Sequence, residues 1–166
     1  MRVLIAPLNW GLGHATRCVP VIRNYLAQGD EVILAADGGP MVLLKSLFPE
    51  LHCIELPSYA FKYNRGKSQV TAMMCSIPGI IRGIIAEHRW LHQVSKNEHF
   101  DLVISDNRFG LWNRKLRTVY ITHQLMIKMP SGLKWLEPVA WLIHRFIILR
   151  YDECWIPDFE HQPSLS

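Results

Sequence analysis

The sequence predicts a doubly wound α/β domain, a parallel sheet with helices on both faces. Two observations predict it. Short apolar, β-branched runs alternate along the chain with segments of helical period, the pattern of repeated strand–helix–strand units. The glycine-rich stretch Asn9 to Arg17 follows the first of these runs at once, at the carboxyl end of a strand, where sheets of this kind take their ligands. The length of 166 residues fits one domain with its own core, and 49% hydrophobic with 19% charged residues is a globular rather than a disordered composition.

Arg2 to Pro7 (RVLIAP) is a short apolar run and predicts the first buried strand. Ala15 to Gln28 places Val19, Ile22, Leu26 and Ala27 near helical spacing, and Gly29 is a helix stop. Glu31 to Ala36 (EVILAA) predicts the second strand, closed by Asp37, Gly38 and Gly39. Met41 to Phe48 reads as a short helix before Pro49, and His52 to Leu56 as the third strand. Ser58 to Lys67 is polar, aromatic and basic, as a loop would be. Ser68 to Asn97 is long and largely helical, with a kink or break expected at Pro78-Gly79. Asp101 to Ser105 and Thr118 to Thr122 predict two more strands, Gly132 to Tyr151 an apolar helix, and Glu153 to Pro157 a last strand. No internal repeat or low-complexity stretch is visible.

The formal net charge of +4 favours acidic partners without choosing among phosphorylated ligands, anionic lipid and nucleic acid. There is no run of Lys and Arg of the kind that marks a nucleic-acid tail, and nucleic acid is not an expected partner. Mean hydropathy is +0.08, slightly high for a soluble domain, which hints that some apolar surface faces something other than water. The four cysteines, Cys18, Cys53, Cys75 and Cys154, are far apart and form no CxxC pair, so no metal site is expected. The first strand begins at the second residue and leaves no room for a secretory signal, which points to reduced cysteines in the cytoplasm.

The stretch Asn9-Trp10-Gly11-Leu12-Gly13-His14-Ala15-Thr16-Arg17 carries two functional readings. As a dinucleotide fingerprint it supplies Gly11 and Gly13, with Asp37 as the acidic residue after the second strand, but Thr16 stands where the third glycine belongs. In the second reading His14 is the working residue. The N-terminal end of a helix disfavours imidazolium, so His14 stays neutral and can serve as a base. Asp106, directly after the DLVIS strand, is placed to accept the imidazole N–H, fix its tautomer and stabilise the imidazolium that forms. The plainer alternatives are a glycine turn with a solvent-facing His14, and an Asp106 that caps the turn after its strand.

Gly11-Leu12-Gly13-His14-Ala15-Thr16-Arg17, straight after the MRVLIAP start, resembles the opening of a GT-B glycosyltransferase. It is similar to the GGxGGH loop of the family that adds N-acetylglucosamine to lipid-linked muramyl-pentapeptide, and of related glycolipid enzymes, although GLGH here replaces GGxGGH. Thr122-His123-Gln124 resembles the HEQN segment of that family, without its Glu. The resemblance implies two Rossmann-like domains, the N-terminal one for the acceptor and the C-terminal one for a nucleotide-sugar donor, most simply a UDP-sugar. It implies His14 as the base, Asp106 as its support, and Gly11, Gly13, Thr16, Arg17, Asn107, His123 and Gln124 as acceptor contacts. On this reading residues 1–157 are the acceptor-binding domain and 158–166 begin the linker to an absent donor-binding domain, so the chain alone should be inactive.

Ile77 to Ile85 and Trp135 to Leu149 are unusually apolar but interrupted, and neither reaches the ~20 clean residues of a membrane span. Lys128, Lys134, Arg145, Arg150, Arg82 and Arg89 flank them. Such segments suit either core packing or a peripheral contact with the inner face of a cell membrane, and with it a lipid-linked acceptor. Three alternatives stay open: a nucleotide-sugar epimerase of the same architecture, a dinucleotide-binding oxidoreductase domain, and a non-catalytic half that anchors a donor-binding partner at a membrane.

Overall fold

The computed structural model describes residues 1–58, 69–123 and 131–157. Most of the expected loop after Ser58, Lys128, and the expected linker at 158–166 lie outside the described residues. In chain order the elements are β1 (Arg2–Pro7), α1 (Gly13–Ala27), β2 (Glu31–Ala36), α2 (Gly38–Leu47), β3 (His52–Glu55), α3 (Gln69–Asn97), β4 (Leu102–Asp106), β5 (Arg117–Ile121), α4 (Glu137–Ile148) and β6 (Glu153–Trp155). A short 3-10 turn, Ser131–Leu136, leads into α4.

All pairings are parallel and the strand order is β3-β2-β1-β4-β5-β6. The chain builds outward from β1 to β3, returns to the other side of β1, and builds outward again. The connections after β1 and β4 therefore leave in opposite directions, and a crevice opens between them. The register fixes what borders it. Pro7 pairs with Asp106, and Asp106 in turn pairs with Ile121. The ends of β1, β4 and β5 stand side by side.

Side chains alternate faces along each strand. Val3 and Ile5 of β1, Val32 and Leu34 of β2, and Leu102 and Ile104 of β4 meet Cys18 and Ile22 of α1 and Leu44 of α2. Leu4, Ala6, Ile33, Ala35 and Val103 point the other way, onto Leu91 of α3, Phe100 and Leu111. This two-faced burial explains the continuous apolar runs of the strands.

Proline behaves differently from the sequence expectation at one place. Of the kink or break expected at Pro78-Gly79, the break does not occur: α3 continues through Pro78 to Asn97. A proline removes one backbone bond, and a helix of 29 residues packed on a sheet absorbs that loss. Pro20 is carried inside α1 in the same way. The single helix expected over Gly132 to Tyr151 is divided, with Pro138 in the first turn of α4, where a missing N–H costs nothing.

Gly110, buried in the segment after β4, marks the closest approach of that segment to α3. A Cβ there would lie 2.3 Å from the Ile84 carbonyl oxygen and 2.7 Å from Glu87 Cβ. Gly110→Ala must push backbone from backbone and is expected to cost about 1–3 kcal/mol. A urea titration reads this as a lower midpoint at unchanged slope; a wild-type midpoint would show that the contact yields freely.

Candidate active site

The site is built where β1, β4 and β5 end. Gly11 adopts φ +78°, a conformation open to glycine and strained for other residues, and this turns the chain from β1 into α1. The helix starts at Gly13 with no side-chain cap and no acidic residue in its first turn, so its N-terminal end stays open toward the crevice. His14, Arg17 and Cys18 follow at spacings of three and four and share the inner face of the first turns.

All three converge on Asp106. Its carboxylate is fully buried at the end of β4. Arg17 Nε donates to Oδ2 at 3.0 Å, and Arg17 Nη2 donates to Oδ1. The Cys18 thiol lies 3.7 Å from Oδ2, and burial pushes its pKa well up, so it remains a donor. His14 Nδ1 lies 3.1 Å from Oδ1. The pairing expected from the sequence is therefore present. A buried carboxylate needs such compensation, and the forked guanidinium supplies most of it.

Arg17 also reaches both histidines. Its Nη1 lies 2.9 Å from His123 Nδ1 and its Nη2 lies 2.9 Å from His14 Nδ1. Arginine can only donate, so His123 accepts at Nδ1 and carries its own proton on Nε2. Desolvation, then the positive charge of Arg17, lower the His123 pKa and favour this neutral form. The rings of His14 and His123 stand 6.5 Å apart; His123 is exposed, and the His14 side chain is 11% exposed.

The other expected contacts divide. Gly13 has open space where a side chain would be, and Thr16 is exposed with its hydroxyl bonded back to the Gly13 carbonyl at 2.9 Å. Both border the crevice. Asn107 is only half-exposed and takes φ +56°, while its side-chain oxygen accepts the Tyr120 hydroxyl at 3.1 Å. Its evident work is to turn the chain. Gln124 lies outside the described residues.

A second polar group lies beneath the first. Arg108 is fully buried and donates from Nε to the Pro7 carbonyl at 2.8 Å, from Nη1 to Glu87 at 2.8 Å, and from Nη2 to Asp37. Asp37 Oδ2 accepts from Asn9 at 2.9 Å and from Ser58 at 2.7 Å. Asp37 was the residue that a dinucleotide reading needed for a ribose. Both of its oxygens are engaged within the protein, and the carboxylate is 2% exposed. Sequence reasoning missed Arg108 and Glu87. One signal existed for the latter: Glu87 interrupts the apolar stripe Ile84, Leu91, Val94 on α3, where an acid must find a buried partner.

Among the described residues no group of three or more His, Cys, Asp or Glu is arranged to hold a metal, and no helix is long and apolar enough to cross a membrane.

No protein-family model matches the chain, and no curated protein sequence matches it. Solved structures do. The calicheamicin glycosyltransferase CalG4 superposes with a TM-score of 0.58 at 16% identity, covering 84% of this chain and 36% of that one. MurG of Acinetobacter baumannii gives 0.54 at 11% identity, covering 98% of this chain and 42% of that one. The spinosyn rhamnosyltransferase SpnG gives 0.51 at 18% identity, covering 73% and 34%. The likeness is one of fold: a Rossmann-like, all-parallel α/β domain such as these glycosyltransferases contain. The chain spans about a third to two-fifths of the length of these neighbours.

Removing Arg108 leaves Asp37 and Glu87 buried without their shared cation. Arg108→Met is expected to lose about 3–5 kcal/mol of unfolding free energy, measured by denaturant titration. A loss under about 1 kcal/mol, the range of an exposed pair, would show that water replaces the guanidinium.

Proposed function

We propose that this chain is the acceptor-binding half of an inverting, nucleotide-sugar-dependent glycosyltransferase. The observation that carries this reading is the His14–Asp106 pair, at 3.1 Å, on the carboxyl edge between β1 and β4. With the proton on Nδ1 shared with Asp106, Nε2 is the basic nitrogen of His14, on a side chain that is 11% exposed. It takes the proton of an acceptor hydroxyl as that oxygen attacks the anomeric carbon from the face opposite the leaving nucleoside diphosphate. The carboxylate then faces the imidazolium that forms and holds its orientation. The fold neighbours support the direction of this reading: SpnG has been solved with its aglycone and with thymidine diphosphate, the two kinds of ligand that such a reaction brings together. The donor half, a UDP-sugar as donor, and the division at residues 1–157 and 158–166 belong to the same proposal.

The acceptor is proposed to be lipid-linked. Helix α4 exposes Leu142, Ile143 and Phe146, each at least 57% accessible; Leu149 just after it is 69% accessible and Trp135 just before it 73%. Arg145 lies over Trp141 at 5.3 Å and Arg150 over Phe146 at 4.3 Å, so basic groups edge this face. A contiguous apolar surface rimmed by cations suits the headgroup zone of an anionic membrane on the cytoplasmic side. The dinucleotide-binding reading loses its ribose ligand, because Asp37 is consumed by Arg108, Asn9 and Ser58.

In the protein carrying its donor-binding half, His14→Ala is expected to lower turnover by about 10²–10⁴-fold with modest change in KM; unchanged turnover removes His14 from the role of base. Leu142→Glu together with Phe146→Glu is expected to abolish flotation with vesicles containing anionic lipid, leaving the unfolding midpoint near that of the wild type. Flotation that persists in this variant places the membrane contact elsewhere.

A further inference from the structure

His14 Nδ1 has two partners that make opposite demands on it. Asp106 Oδ1, at 3.1 Å, can only accept and requires a proton on Nδ1. Arg17 Nη2, at 2.9 Å, can only donate and requires Nδ1 bare. A neutral imidazole satisfies one of them. If Nδ1 carries the proton, Nε2 has a basic lone pair and can act as a base. If Nδ1 accepts from Arg17, the proton sits on Nε2, and that nitrogen is a donor with no basic lone pair. Asp106 does not need His14: both of its oxygens already receive Arg17, and Cys18 lies beside Oδ2. Nδ1, by contrast, has its shorter contact with the guanidinium.

We infer that Arg17 is a positioning residue that holds His14 in the Nε2–H form, and that a phosphate or diphosphate group of the acceptor releases it. This rests on the proposed role of His14 as base. The geometry supplies the route. Arg17 Nε stays on buried Asp106 Oδ2, Nη1 reaches His123, and Nη2 divides its two hydrogens between Asp106 Oδ1 and His14, on a side chain that is 22% exposed. A phosphate oxygen entering beside His123 is a stronger acceptor than either ring nitrogen. It draws Nη1 and Nη2 toward itself, which releases both His14 Nδ1 and Asp106 Oδ1 from Nη2 and leaves them to each other. The proton on Nε2 passes to water and one from water returns at Nδ1, with no change of charge. The base then exists only when an anionic acceptor is in place, and a neutral hydroxyl compound or water does not arm it.

The test reads the tautomer directly, without turnover. Long-range ¹⁵N–¹H NMR of the chain distinguishes bare from protonated ring nitrogens, and the His14 signals are identified by their loss in His14→Gln. In the wild type, Nδ1 is expected at the bare-nitrogen position. Saturating inorganic pyrophosphate is expected to move it to the protonated position. Arg17→Lys keeps a cation for buried Asp106 but has one donor group in place of the fork, and is expected to show protonated Nδ1 without any anion. Protonated Nδ1 in the unliganded wild type, no change with pyrophosphate, or a bare Nδ1 in Arg17→Lys would each overturn the inference. These outcomes are independent of the turnover of His14→Ala, so this inference and the proposed function can fail separately.

Discussion

The carboxyl edge of this sheet depends on one buried cation. Arg108 joins the end of β1 through the Pro7 carbonyl, the end of β2 through Asp37 and the inner face of α3 through Glu87. Its own carbonyl receives the hydroxyls of Ser105 and Tyr151. Parallel strands supply hydrogen bonds along their length but nothing beyond their ends, and the segments leaving β1, β2 and β4 diverge at this crevice. A guanidinium with donors in three directions is suited to hold them at fixed separation. Asn107 makes this possible. Its left-handed backbone sends the chain inward directly after Asp106, so that one residue faces the crevice and the next but one goes beneath it.

That arrangement divides two carboxylates between different tasks. Asp37 is saturated by Arg108, Asn9 and Ser58 and has nothing left to offer a ligand. Asp106 is equally buried, yet its partners Arg17 and His14 lead outward to the rim. Asp37 locks the floor, and Asp106 transmits its charge to groups that a ligand can reach. The asymmetry follows from topology: β1 and β4 flank the switch in strand order, while β2 lies one strand further out.

The inner strands β1, β2, β4 and β5 were legible because they are buried on both faces. β1 and β2 run without a polar interruption, and their ends fall where the sequence placed them. The pairing of His14 with Asp106 was legible from position alone, since both follow strands that topology makes neighbours. Arg17 was legible as a site residue but not as the hub: its bonds to Asp106 span 89 residues of chain and depend on a helix phase that only the packing of Cys18 and Ile22 against the sheet sets. Arg108 was hidden for the same reason, with partners 71 and 21 residues away. Pro78 left a kink and a break both open, because proline marks helix ends in local sequence while the decision to continue belongs to the tertiary contacts of α3.

Helix α4 shows how far a periodic pattern can go before it needs a partner. Its sequence is apolar almost all round, which ordinarily means burial on every side. One face is settled by a polar residue: His144 is buried, and its Nε2 lies 3.4 Å from the Tyr120 hydroxyl of β5. That contact sets the rotation of the helix and leaves the opposite apolar face, Leu142, Ile143 and Phe146, in the open. Were α4 a core helix whose outer face carried no function, polar residues there would cost the fold nothing and would improve solubility. Instead the outer face pairs large aliphatic and aromatic groups with arginines stacked over rings at 4.3–5.3 Å. The same chain thus presents a crevice lined by Arg17, His14 and His123 around buried Asp106, and an apolar surface bordered by cations. On the proposed function the two features divide the work, the apolar surface for a hydrocarbon tail and the crevice for a hydroxyl with an anionic group beside it.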